Sequence, residues 1–394
     1  MQNLHRLILA KFLSSLYFSV PIQTLFFFAK GLTFTEIMLL ESLLLIGIML
    51  FEVPTGILGD RIGRKWSIVC GVIVGLLAWI PWFLADGFAL FGLSFFLSGI
   101  AIAFQSGSDQ ALIYDDLKSR GEEANVQRIM GRYFGSMTFG TAVAALIGGY
   151  LAASQRLDIF YDLYKLNVVV QFLGLLVLLT VKEPKRTATG EERAHGPETS
   201  FTLFKEGVRR LSSHAKLRRI ALLSLFTMPF SFVLIYIFQP YFLSAGVPAT
   251  WYGVAVFIAS LLSINAKIFA HKIEQWFGVS RGALLVTLLP AVFWFLMAMV
   301  FHPVYSVLLY ILNDASGNVR DPIFSDYLNR HIESHNRATV LSTISLLGSL
   351  YAVIVRPIIG LVADIDIRYG FMMMGLIIVI GALYFRISDE HVKY

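Results

Sequence analysis

Gly56-Ile57-Leu58-Gly59-Asp60-Arg61-Ile62-Gly63-Arg64-Lys65 is a dense, mixed-charge break between two long apolar runs. Residues 33–58 upstream and 66–84 downstream are each long and apolar enough to cross a bilayer. Asp60, Arg61, Arg64 and Lys65 are too costly to hold in hydrocarbon, so this break sits at a water interface and works as the turn where two spanning helices meet. Its glycines let helix ends and backbone approach closely.

The rest of the chain has the same character. Of 394 residues, 57% are hydrophobic and 15% charged, and the mean hydropathy of +0.70 is far above that of a soluble domain. The single cysteine, Cys70, excludes an intrachain disulfide and a multi-cysteine metal site, and it reads as a packing residue. Twelve apolar runs reach spanning length: 7–29, 33–58, 67–84, 88–113, 130–153, 160–181, 220–243, 251–270, 281–301, 304–327, 338–362 and 369–385. The first has no small-residue cleavage signature and reads as a retained helix.

Basic residues set the orientation. With the N-terminus inside, only Lys30, Arg156, Lys165 and Arg368 lie outside and Arg356 lies within a span, while the remainder of the 32 Lys and Arg fall on the inner side. Both termini are then cytoplasmic. The net charge of +6 is thereby a topology signal and no mark of a nucleic-acid partner. The long hydrophilic segment 182–219 divides the runs six and six, which predicts an N-terminal bundle over 1–181, a cytoplasmic linker over 182–219 and a C-terminal bundle over 220–394. Within the linker, residues 201–211 are amphipathic at helical spacing, as for a helix lying on the inner leaflet. A faint repeat supports the division, since Leu58-Gly59-Asp60-Arg61-Ile62 aligns with Phe269-Ala270-His271-Lys272-Ile273 at the same place in the second half.

Gly56, Leu58, Gly59, Asp60, Arg61, Gly63, Arg64 and Lys65 match G-x-L-A/G-D-R/K-x-G-R-K/R, so the stretch resembles motif A of the major facilitator superfamily (MFS), which lies between transmembrane helices 2 and 3. A basic cytoplasmic turn would explain the charges, but not the spaced glycines and the single acid. Phe51-Glu52-Val53-Pro54-Thr55-Gly56 is similar to the lead-in of some bacterial members. The resemblance implies an all-α membrane protein of 12 transmembrane helices in two pseudo-symmetric six-helix bundles, rocking about a midplane site. It further implies that Asp60 docks on the N-terminal end of helix 11 near Arg337 when the cytoplasmic side is closed. Arg64 would then pair with Asp115 or Asp116. In helix 5, Gly131, Gly140, Gly148 and Gly149 match the spacing of motif C of the superfamily's antiporters, but Ala144 and Ala145 replace its Gly-Pro. An ordinary small-residue helix contact explains the same spacing equally well.

Ionisable residues inside spans are functional candidates by default. They are Glu36, Glu41, Glu52, Asp109, Asp314 and Arg356. Glu36 lies near the outer surface, and Glu52 is given a structural role. Asp314 falls mid-run among Asn313, Ser316, Gly317 and Asn318. The superfamily's cavity is lined by helices 1, 4, 7 and 10, so the resemblance puts Asp314 beside the substrate path and makes it the first choice for substrate or proton binding. Asp109 follows and Glu41 comes third; a carboxylate satisfied by a neighbouring helix is the competing reading. Gln23, Tyr236, Gln239 and Asn313 supply neutral polar groups for an amphipathic substrate. Arg356 either snorkels outward or pairs with an acid such as Glu41, a contact that superfamily geometry permits.

No Walker A segment is present, and no catalytic arrangement can be assigned. His331 and His335 have helical spacing but no third ligand, so neither a metal site nor a cofactor is expected. The reading is a monomeric secondary active transporter of the cell inner membrane. It exports a small amphipathic solute, cations included, in antiport with protons or another coupling ion. Nutrient or lipid uptake, or a transporter-like membrane sensor, are the alternatives.

Overall fold

The computed structural model describes residues 2–183, 197–227, 229–332 and 337–386, and among these it holds helices and no strands. The helices are α1 (Gln2–Ser14), α2 (Gln23–Ala29), α3 (Phe34–Ile62), α4 (Arg64–Phe83), α5 (Phe88–Gln105), α6 (Ser108–Lys118), α7 (Val126–Leu151) and α8 (Leu157–Leu179). They continue with α9 (Pro197–Ser213), α10 (Ala215–Thr227) and α11 (Phe230–Ser244). A kink at Gly278 separates α12 (Thr250–Phe277) from α13 (Val279–Met299). The chain ends with α14 (Pro303–Arg330), α15 (Arg337–Ile365) and α16 (Ile367–Tyr384).

Among the described residues, 10 segments are long and apolar enough to cross a membrane by length and composition. Two expected spans are missing from that set for physical reasons. The first is broken between α1 and α2, and α14 carries Asn313, Asp314, Asn318, Arg320 and Asp321.

Contacts divide the chain into two compact units. The first comprises Met1–Pro21, Lys30–Leu32 and Leu40–Ser200, and the second Ile22–Ala29, Thr33–Leu39 and Phe201–Tyr394. In the first unit α1 packs on α7 and α8, and α4 on α5, α6 and α8, around a core that includes Leu7, Val69, Ile113 and Tyr133. Lipid is as apolar as leucine, so such helices gain little from hydrophobic burial and are held by close backbone approach. α7 shows this directly. Ala144 and Ala145 are 0% exposed, and a β-carbon at Gly148 would run into the Phe18 carbonyl. The small face of the motif C-like stretch is thus a packing surface. Gly131, at its other end, faces open space.

Several breaks in the helices are answered by a side chain. Between α1 and α2 the Asn167 carboxamide accepts from Phe18 N at 2.8 Å and donates to Ser19 Oγ at 2.8 Å. In the second unit Gln239 Oε1 accepts from Thr24 N at 2.6 Å and Leu25 N at 3.3 Å, which caps α2. The start of α3 is a capping box, with Thr33 N donating to Glu36 Oε2 at 2.8 Å and Glu36 N donating to Thr33 Oγ1 at 3.2 Å. Asp364 of α15 accepts from Phe34 N at 2.8 Å and Thr35 N at 2.9 Å in the same turn.

The second unit has its own core, which includes Ile220, Ala283, Phe324, Tyr327 and Val340. α9 adds to it. Leu211 is buried there, and a β-carbon at Gly207 would collide with Thr343 of α15. Part of the amphipathic stripe read as a leaflet-facing surface is therefore taken by protein, while Thr202, Lys205, Val208 and Arg209 stay exposed.

Replacing Gly148 by Leu should force α7 away from the Phe18 carbonyl and cost about 1–3 kcal/mol, read as a lower melting temperature in detergent. Gly131→Leu should leave that temperature unchanged; equal losses at the two positions would refute the packing role.

Candidate functional site

The motif A stretch folds differently from a hydrophilic turn. α3 continues through it to Ile62, and the reversal is made by one residue, Gly63, at φ 104°, a backbone conformation that strains any residue with a β-carbon. A helix that starts this abruptly leaves amides without partners. Glu183, just beyond α8, supplies them, its Oε1 accepting from Arg64 N at 2.8 Å and its Oε2 from Lys65 N at 2.9 Å. Lys65 Nζ answers in the other direction by donating to Leu179 O at the end of α8, 2.9 Å away.

Arg64 forms an ion pair with Asp60 one turn earlier, at 2.9 Å. Asp116, expected to receive Arg64, is instead engaged by Arg120 at 2.7 Å and by Asn3 Nδ2 at 2.9 Å. Asp115 is half-buried and Arg61 exposed. Gly56 faces open space, so its side of α3 makes no close contact, whereas a β-carbon at Gly59 would touch Ser67 of α4.

Asp109 sits at a second break. α5 stops at Gln105, Gly107 turns the chain at φ 72°, and Asp109 falls in the first turn of α6, where the helix dipole favours an anion. The carboxylate is 7% exposed. Its Oδ1 accepts from Gln110 N at 2.8 Å and its Oδ2 from the Tyr133 hydroxyl of α7 at 3.0 Å. Lys11 of α1 brings its ammonium to 4.0 Å from Oδ2 and 5.4 Å from the centre of the Tyr133 ring. Three helices thus converge on one acid, one cation and one phenol. Sequence reasoning singled out Asp109 but counted Lys11 among the interfacial bases and passed over Tyr133. The signal was available for Lys11, which lies about 7 Å deeper along its helix than Arg6.

Asp314 has a different environment. Ser263 Oγ of α12 donates to its Oδ2 at 2.5 Å, and Asn318 Nδ2 reaches its backbone carbonyl at 2.9 Å and its Oδ2 at 3.4 Å. The charge that acts on it is Lys267, one turn beyond Ser263. Among the described residues no cation is within ion-pair distance of Asp314. Neutral groups alone solvate this carboxylate.

The other expected site residues are scattered around these two centres. Gln23 Nε2 donates to the Tyr236 hydroxyl at 3.1 Å, so this pair is brought together, but Gln239 is 0% exposed and occupied in capping α2. Asn313 is 3% exposed, its Nδ2 3.4 Å from Met297 Sδ. Arg356 is 4% exposed with its guanidinium 4.8 Å over the Phe232 ring, and Glu41 is buried at 8%.

Residues 7–317 match the family model described as Major Facilitator Superfamily. The chain belongs to that superfamily. It is 23% identical over 390 residues to an uncharacterized MFS-type transporter, YxaM of Bacillus subtilis (strain 168), the alignment covering 95% of this chain and 93% of that protein. Among solved structures it resembles the nucleoside transporter NupG, at 15% identity with a TM-score of 0.73 and 100% of both chains covered. It also resembles a D-xylose-proton symporter, at 14% identity with a TM-score of 0.72, covering 99% of this chain and 97% of that one. Likeness at these identities concerns the fold. Membership makes the chain a multi-pass secondary transporter of the MFS, and not an enzyme.

In this MFS member the Glu183 carboxylate joins the motif A stretch to the end of α8. Glu183→Ala removes the acceptor of two α4 amides and should lower stability by about 1 kcal/mol, as for other lost helix caps, seen as a drop in melting temperature. Glu183→Gln should recover part of that loss; an unchanged melting temperature in Glu183→Ala would show the contact to be idle.

Proposed function

We propose that the transporter couples solute movement to protons through Asp314 and that it works as an antiporter in the inner membrane, exporting a small amphipathic solute that carries a positive charge in at least one of its members. The observation that carries this reading is the neutral solvation of Asp314 by Ser263 and Asn318. A buried carboxylate without a paired cation is expensive as an anion. Two events relieve that cost, arrival of a proton or arrival of a cationic substrate. Each excludes the other at one carboxylate, and mutual exclusion at a single site is what exchange of proton for solute requires. Asp109 is less suited to the role because Lys11 and Tyr133 already balance it, so it is assigned to holding α1, α6 and α7 in register.

Proton symport in the uptake direction is the second reading. The resemblance to a D-xylose-proton symporter favours it, through what that protein is named to do.

The two readings differ in the sign of one flux. A thermal-shift screen of purified protein against a chemically diverse panel identifies a solute, which is then added to proteoliposomes carrying an internal pH dye. Antiport moves protons against the direction of solute entry and symport moves them with it; no proton movement with either sign refutes coupling altogether. Asp314→Asn should abolish proton-driven accumulation and leave downhill solute exchange running. Uphill transport at the unmodified rate in that variant would transfer the coupling role to Asp109 or Glu41.

Asp60→Asn removes the partner of Arg64 at the end of α3. It should slow turnover, on the order of tenfold, with substrate affinity almost unchanged, the pattern of a residue that acts on a conformational step. A selective loss of affinity would place Asp60 in the binding site instead.

A further inference from the structure

Arg320 of α14 takes no part in the Asp314 cluster, and it is buried. Only 5% of the residue is exposed. Its contact with Asp321 is a grazing one, 3.5 Å between the nearest atoms, and the Asp321 side chain is 60% exposed while that of Arg320 is 6%. Successive residues on a helix do not face one another, so the guanidinium cannot turn fully onto that neighbour. Its Nε is buried and has no hydrogen-bond acceptor. A guanidinium does not shed its proton, and an isolated charge in an apolar bundle is costly, so something must balance it.

A cavity of about 20 Å³ lies beside this group, lined on α14 by Asn313, Gly317 and Arg320, which fall on one face of that helix. α11 contributes Phe230 and Ser231. These are the first two residues of a 15-residue helix whose N-cap, Pro229, offers no side-chain hydrogen bond. Ser231 thereby brings its hydroxyl to the same cavity wall as Arg320. Thr227 and Thr287 also line it, their hydroxyls donating to their own helices at Leu223 O and Ala283 O, and Leu234, Pro290, Trp294 and Ile378 make the rest of the wall apolar. The groups left to donate are the Arg320 Nε, the Ser231 hydroxyl and the second Asn313 amide hydrogen.

We propose that this cavity is a binding site for a small monovalent anion of halide size, chloride being the common one, held by Arg320, Ser231 and Asn313. Two features select an anion: a permanent buried cation whose Nε is unserved, and further donors on Ser231 and Asn313 beside it. Volume selects its size. About 20 Å³ is room for a water-sized particle, which favours a halide over sulfate, phosphate or a carboxylate attached to a larger solute. The bound anion neutralises Arg320 and links Ser231 of α11 to α14.

The proposal does not rest on the assignment of Asp314, because it is read by binding and stability without transport. Purified full-length protein is melted in sodium chloride, bromide, sulfate or gluconate at constant ionic strength. A ligand held only by the folded state raises the melting temperature in proportion to its occupancy. Chloride and bromide should raise it saturably, and sulfate and gluconate should not. Arg320→Gln should weaken the halide response at least tenfold, and Ser231→Ala severalfold. A melting temperature equal in chloride and gluconate would mean that water alone serves the cavity and would overturn the site. So would a halide response that survives Arg320→Gln. Should that variant fail to fold, bromide-soaked crystals of the unmodified protein decide the matter: anomalous density beside Arg320 supports the site, and its absence there refutes it.

Discussion

A backbone amide released from a helix inside an apolar segment has no water to turn to, and this single constraint explains how the irregular parts of the structure are built. The chain leaves regular helix after Ser14, at Gly63 and at Ser106-Gly107. At the first break Asn167 serves the backbone of Phe18, and Gln239 serves the amides that open α2. At Gly63 the acceptor is Glu183. Asn167, Gln239 and Glu183 each come from an element distant in sequence, so the breaks they serve are also joints between helices. A polar residue within a span is for that reason as often a clamp on the backbone as a contact for substrate, and Gln239 is the clearest case.

The same constraint separates the two deep carboxylates. Asp109 and Asp314 stand in the fourth and tenth runs of the chain, corresponding runs if its halves are copies, yet their surroundings differ. Asp109 has a helix N-terminus, a phenol and a lysine, a set that stabilises a permanent anion. Asp314 has a serine hydroxyl and an amide. One is suited to hold structure together, and the other to change its charge during a cycle. Arg320, two turns from Asp314, adds a cation that faces another way, so α14 presents opposite charges to different neighbours.

Composition and the periodic recurrence of apolar runs were enough to determine an all-helical membrane protein, and the motif A residues from Gly56 to Lys65 were enough to point to its superfamily. These features are local: whether 20 residues can cross a bilayer depends on those residues alone. The deep carboxylates were legible for the same reason, since an acid in an apolar run is conspicuous whatever surrounds it. What each acid meets was not legible. The pairing of Asp109 with Lys11 and Tyr133, the engagement of Asp116 by Arg120 in place of Arg64, the capping role of Gln239 and the burial of Arg320 all depend on which faces of separate helices are brought together. Helix breaks at Ser106-Gly107 and before Gln23 were hidden as well, because their cost is met by partners far away in the chain. Sequence by itself determined the elements and the solvent they live in, and the tertiary structure decided which polar groups are spent on holding the fold and which remain for chemistry, because that division is made by contacts between helices and by no helix alone.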